Sequence, residues 1–128
     1  MRVIISGASG LIGSALCSEL RSGQHDVVTL VRRPAGAGEV QWDPANGVLP
    51  ADALEGADAV VHLAGESIAG ARWTTMYKQR IRDSRVESTA TIVRAIAALP
   101  ADHRPRVLVT ASGIDLYPLA DPEVGFED

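Results

Sequence analysis

At 128 residues, 46% hydrophobic and 22% charged, the chain has the size and composition of one globular domain, which excludes a largely disordered segment. A formal net charge of −4 argues against a sequence-independent nucleic-acid binder, which needs a basic face to displace counterions. One cysteine, Cys17, allows no internal disulfide, and no apolar stretch approaches a signal-peptide core or a membrane span of roughly 18 residues, so the expectation is a cytoplasmic protein.

Val3-Ile4-Ile5, a short β-branched run ending at Ser6-Gly7, reads as a buried strand. Residues 11–22 read as a helix with Leu11, Ile12, Ala15, Leu16 and Leu20 on its inner stripe and Gly23 as its C-terminal cap. Val27 to Val31 is a second buried strand, followed by a loop from Pro34 to Gly38. Val40-Gln41-Trp42 makes a short third strand, closed by Asp43-Pro44 and the turn dipeptide Asn46-Gly47. Ala51 to Glu55 suggests one helical turn, and Asp58 to Leu63 a fourth strand ending at Ala64-Gly65. Residues 74–99 form one long helix whose inner face carries Ile81, Ser88, Thr89, Ile92, Ile96 and Leu99, with Pro100 beyond its end. Arg106 to Thr110 is the fifth strand. After Ile114 the pattern fades into an acidic tail punctuated by Pro118, Pro122 and Gly125. Strands that are apolar on both faces and alternate with helices predict an α/β doubly wound parallel sheet, a Rossmann fold of order 3-2-1-4-5. The dinucleotide-binding domain is expected over 1–114, with 115–128 as the tail.

Gly7-Ala8-Ser9-Gly10-Leu11-Ile12-Gly13 carries the strongest signal, because this glycine triplet lies between a strand and a helix. Gly7 turns the chain sharply off the strand, Gly10 lets the backbone approach a pyrophosphate, and Gly13 allows close helix–strand packing. The helix N-terminus then offers free N–H groups and partial positive charge to phosphates. A tight strand–helix turn without a ligand is the competing reading. NAD enzymes usually place an acidic residue about 20 residues beyond such a loop to hold the ribose 2′-OH. Here Val31-Arg32-Arg33 occupies that place, with no Asp or Glu until Glu39. Arg32, with Arg33 as a second candidate, therefore points to NADP rather than NAD, since a guanidinium binds a 2′-phosphate bidentately; a solvated arginine pair is the alternative.

Several residues have plainer readings beside functional ones. His62 lies in an apolar strand, where a packed core histidine is the commoner case than a base. Cys17 reads as a small buried hydrophobe, and Trp42 and Trp73 as packing anchors, with Trp73 also a candidate pocket wall. Lys78, Arg80, Arg82 and Arg85 alternate with Asp83 and Glu87, the pattern of a solvated helix face. Glu66 and Ser112 follow strands four and five, where ligands bind in such sheets, or else cap and turn the chain. His25, His103, Cys17 and the carboxylates show no metal-ligand spacing.

The loop Ser6 to Gly13 resembles that of the extended short-chain dehydrogenases, the nucleoside-diphosphate-sugar epimerase/dehydratase group. Trp42-Asp43-Pro44, the run Leu54 to Glu66, Arg72-Trp73 and the segment Ile81 to Thr89 containing Ser84-Arg85-Val86-Glu87 are similar to one atypical branch, the epimerase family proteins. The resemblance covers residues 1 to about 114. It implies an NADP-binding Rossmann domain in which Leu63 and Ala64 line the cofactor; Ser9 and the other loop residues, and Gly65, are cofactor-binding candidates beside them. It also implies that Arg80 and Arg85 lie near it and that Ser112 holds the place of a catalytic Ser/Thr that hydrogen-bonds a substrate oxygen. It implies members roughly twice this length, whose second half adds strands and a substrate region. Leu116 stands where that family commonly has tyrosine. The Tyr-x-x-x-Lys pair of short-chain dehydrogenases is missing: Ile81 lies four residues after Tyr77, and Asp121 four after Tyr117. Two functions stay open, the cofactor-binding half of an NADP(H)-dependent oxidoreductase or epimerase acting on an unidentified small molecule, and a non-catalytic NADP(H) sensor. A fifth strand at the sheet edge further predicts either a longer protein or a homodimer that hides the edge.

Overall fold

In the computed structural model, which describes residues 1–65, 72 and 74–111, the apolar runs form one parallel sheet of five strands. These are β1 (Arg2–Ser6), β2 (Asp26–Val31), β3 (Glu39–Gln41), β4 (Ala59–His62) and β5 (Val107–Thr110), with helices α1 (Leu11–Ser22) and α2 (Thr75–Ala98). The spatial order β3-β2-β1-β4-β5 is the one expected, with β1 at the centre. Ile4 stands opposite Val28 of β2 and Val60 of β4. Glu66, Trp73, Ser112 and the expected tail lie outside the described residues.

Side chains alternate across the pleat and divide the core in two. Val3, Ile5 and Val27 pack with Cys17 of α1 on one face. Ile4, Val28, Leu30 and Val60 pack with Trp42, Leu54, Ile92 and Leu99 on the other, beneath α2. Each fully buried aliphatic side chain contributes about 1.5–3 kcal/mol, so the sheet is held from both sides. At its edge the cover thins: Val107 and Val109 of β5 are 51% and 48% exposed.

The inner stripe of α1 differs from the expected one. Leu11 and Ile12 are 90% and 69% exposed and Ala15 is exposed, whereas Gly13 and Cys17 are buried and Leu16 and Leu20 half-buried. The physical reason is proximity. A Cβ on Gly13 would collide with the Gly7 carbonyl, so the helix rests on the strand through its smallest residues. The helix ends at Gly23, as expected, but the left-handed residue is Gln24, at φ 61°. Gln24 N–H donates to Arg21 O and His25 N–H to Leu20 O, both at 3.0 Å, which closes a Schellman motif.

Helix α2 starts at Thr74, whose Oγ1 accepts the Tyr77 N–H at 3.1 Å. Its inner face buries Tyr77, Ser88, Thr91 and Ile92, and Leu99 is buried just beyond its end. Ala51 to Glu55 is not a helical turn. Ala53, Glu55 and Ala57 N–H groups each donate three residues back, to Pro50, Asp52 and Leu54, giving successive turns that press Ala53, Leu54 and Ala57 into the core. Among the described residues no helix is long and apolar enough to cross a membrane.

Candidate functional site

Parallel strands deliver their C-terminal ends to one edge of the sheet, and a cleft opens there on both sides of the glycine loop. Gly7 leaves β1 at φ +75°, and a Cβ on it would stand 2.7 Å from Ala64 N and Leu63 C. Gly7 and Gly13 are thus required by the fold itself. Gly10 is not: it caps α1 in an extended conformation, φ −74°, ψ 173°, and a Cβ there would meet only Gly7 O, at 3.4 Å. The first turn of α1 has neither a side-chain cap nor an acidic residue, so its N–H groups and positive end face the open side.

The cleft has a volume of about 1050 Å3, at the upper end of the size usual for ligand and cofactor sites. Gly7, Ser9 and Gly10 form one wall, Leu63, Ala64 and Gly65 another, and Arg32 and Arg33 stand at its rim beyond β2. Trp42 to Ala45 close the β3 side, and Ser84, Glu87 and Ser88 approach from α2. Gly13 lies beneath this surface. Leu11, Ile12, Arg80 and Arg85 are not among the lining residues. Arg85 is near: a Cβ on Gly65 would be 3.0 Å from its Cζ, and its Nη1 donates to Ile81 O at 3.1 Å. Ser112 and Glu66 lie outside the described residues.

The two rim arginines differ. Arg33 donates through Nη1 and Nη2 to both oxygens of Glu39, each at 2.7 Å, and Gly36 N–H donates to the same carboxylate at 2.8 Å. Hydrogen bonding and the charge of Glu39 raise the Arg33 pKa, and the Arg33 and Gly36 bonds hold the Glu39 carboxyl down at about 2. No side-chain hydrogen bond or ion pair engages Arg32 among the described residues.

Below the cleft floor lies a buried polar chain that periodicity does not reveal. Ser6 Oγ accepts the Leu63 and Ala64 N–H groups at 3.2 and 3.3 Å and lies 2.6 Å from His62 Nδ1. His62 Nε2 lies 3.0 Å from Ser88 Oγ, which donates to Ser84 O. Because Ser6 has two incoming donors and Ser88 one outgoing proton, the consistent assignment is Ser6 donating to Nδ1 and Nε2–H donating to Ser88. Burial pushes the His62 pKa down, which keeps the ring neutral, and its centroid lies 6.2 Å from that of Trp42, edge-on at 89°. His62 is therefore a satisfied core residue, and the chain Ser6–His62–Ser88 ties β1, β4 and α2 together directly under Leu63 and Ala64. Trp42, read from sequence as a packing anchor, both packs and lines the cleft; the Asp43-Pro44 turn after β3, at the strand's C-terminal end, was the available signal. Among the described residues no cluster of His, Cys, Asp and Glu could hold a metal ion.

Residues 3–127 match the model of the NAD dependent epimerase/dehydratase family. Epimerase family protein Mb2239 of Mycobacterium bovis is 43% identical over 116 residues, covering 90% of this chain and 37% of that protein. The crystal structure of human epimerase family protein SDR39U1 with NADPH superposes with a TM-score of 0.76 at 35% identity, covering 92% of this chain and 38% of the other. A short-chain dehydrogenase/reductase superfamily protein from Agrobacterium tumefaciens with bound NAD gives 0.71 at 29% identity, covering 96% and 36%. The chain thus spans less than two fifths of the length of these proteins.

Proposed function

This chain belongs to the NAD dependent epimerase/dehydratase family, and from that premise we propose that it binds NADP(H) along the cleft as the cofactor-binding part of an oxidoreductase or epimerase. The observation that carries the reading is Gly10. Its backbone angles suit any residue and its missing side chain relieves no internal contact, so the glycine serves what lies outside it. A pyrophosphate approaching the backbone at the start of α1 needs that space. The relative solved with NADPH adds weight, as does the pair of arginines where an NAD enzyme usually has a carboxylate.

The residues at hand fit such a cofactor in a definite way. The N–H groups of the glycine loop and the first turn of α1 would hold the pyrophosphate, and Arg32 would take the 2′-phosphate. Leu63, Ala64 and Gly65 would form the floor beside it, the first two held in place by Ser6. When bound, the nicotinamide supplies hydride transfer at its C4. This chain's contribution is to bind and orient, and Ser112 is our candidate for hydrogen-bonding a substrate oxygen. The test is calorimetric titration of the purified chain with NADPH and NADH. Tight NADPH and weak NADH binding is expected. Equal affinities would remove the preference for NADP, and binding of neither would remove the reading.

The sensor reading draws on the apolar, exposed β5, a surface through which a bound cofactor's presence could be passed to a partner or a second copy. Turnover of a carbonyl substrate by the protein would count against it.

A further inference from the structure

We propose that Glu39 is a specificity-determining residue for the cofactor: by forking Arg33 it leaves Arg32 as the guanidinium for the 2′-phosphate and limits how strongly the rim prefers a phosphorylated ribose. The inference rests on the dinucleotide reading above and deepens it.

Arg32, Arg33 and Glu39 all line the same cleft as the glycine loop. Glu39 opens β3 opposite Thr29 of β2, and the seven residues 32–38 fold back so that Arg33 reaches it. The loop is built around the carboxylate. Gly38 turns at φ +70°, and a Cβ on Gly36 would be 3.3 Å from Glu39 Oε2. Arg33 Nη1 also donates to Pro34 O at 3.1 Å, so both of its protons are engaged within the loop. Side-chain exposure separates the partners: 63% for Arg33 and 21% for Glu39. The carboxylate is the sheltered anchor and the arginine lies over it.

Charge decides the consequence. Two arginines and one carboxylate give the rim one net positive charge where it would otherwise have two. A 2′-phosphate arriving at Arg32 enters the cleft that Glu39 also lines, and at physiological salt a fixed charge acts over a Debye length of roughly 8 Å, so the carboxylate opposes it. The same carboxylate occupies the fork by which Arg33 would otherwise bind phosphate bidentately. A dinucleotide with a plain ribose places no charge there and is indifferent to Glu39.

The test measures NADPH and NADH affinities by calorimetry for the wild-type chain and for Glu39→Gln, Arg33→Gln and the double variant, with 2′,5′-ADP and 5′-AMP as fragment probes of the rim. Glu39→Gln keeps the shape and removes the charge; it should raise NADPH and 2′,5′-ADP affinity about fivefold and leave NADH and 5′-AMP within about twofold. Arg33→Gln strips the carboxylate of its counter-charge and should lower NADPH affinity about fivefold, and the double variant should return it to within about twofold of wild type. Loss in Arg33→Gln that the double variant does not restore would make Arg33 a direct phosphate ligand and overturn the proposal. So would Glu39→Gln changing NADPH and NADH alike, the mark of a merely structural role. Wild-type binding of neither dinucleotide would remove the proposal together with the reading beneath it. Intact wild-type binding with an unmoved NADPH-to-NADH ratio in Glu39→Gln would remove the Glu39 proposal alone.

Discussion

Ser6 Oγ and His62 Nδ1 lie 2.6 Å apart, and the two N–H groups already directed at Ser6 fix which way the proton between them points. His62 is an acceptor at Nδ1 and a donor at Nε2. A second ring proton would turn Nδ1 into a donor facing a hydroxyl that already accepts two, and burial penalises the charge as well.

Stability should therefore fall on acidification. The folded His62 pKa lies below the unfolded value of 6.5, so the stability it protects is complete above pH 6.5 and is lost as pH falls from there toward the folded value. The slope from this group cannot exceed about 1.4 kcal/mol per pH unit. His103, raised chiefly by its hydrogen bond to Glu55, acts with the opposite sign: its contribution is full below 6.5 and fades as pH rises through the folded value. Denaturant unfolding of wild type and His62→Gln between about pH 8 and 5 separates them. The variant should show a flatter acid limb, and identical limbs would refute the account.

Substituting the three loop glycines should split stability from binding. Gly10→Ala should unfold within about 0.5 kcal/mol of wild type and lose at least about tenfold in NADPH affinity. Gly13→Ala, whose Cβ would strike the Gly7 carbonyl, and Gly7→Ala, at positive φ against Leu63 and Ala64, should each lose about 2 kcal/mol or more. Melting curves with and without NADPH read both quantities.

Arg32→Asp should invert the cofactor preference, weakening NADPH by about 2 kcal/mol or more and strengthening NADH, because a carboxylate there repels a 2′-phosphate and accepts from a 2′-OH. The ratio of dissociation constants is the measurement, and an unchanged ratio would dismiss Arg32 as a phosphate ligand.

Gln24→Gly should stabilise the chain by about 0.5–1 kcal/mol, since Gln24 holds the left-handed position of the helix-ending motif, where glycine escapes the Cβ penalty. No change in the denaturation midpoint would mean that the Gln24 side chain compensates.

The strand order and the glycine loop were legible because local signals carry them: β-branched runs for β1, β2 and β4, and a glycine triplet between strand and helix. The inner face of α1 was misread for a reason that hydrophobicity cannot report. Close backbone approach puts Gly13 and Cys17 inside and turns the larger Leu11 and Ile12 out. The Ser6–His62–Ser88 chain joins residues 56 and 26 positions apart, and the partner of a buried histidine is invisible until strands are registered. Glu39 was visible as the first carboxylate after the arginine pair, but its grip on Arg33 depends on how the loop returns to β3.

The position of β1 has a consequence for synthesis. Both neighbours of this central strand, β2 and β4, come later in chain order, and β4 lies 56 residues on in the register that pairs Ser6 with His62. An emerging chain can therefore fold its first strand and helix into a half-sheet with β2, but the apolar edge meant for β4 stays bare until residue 62 is out. At about 5–20 residues per second that interval lasts seconds, which makes the nascent β1 edge the stretch where a chaperone or a misplaced strand would first compete.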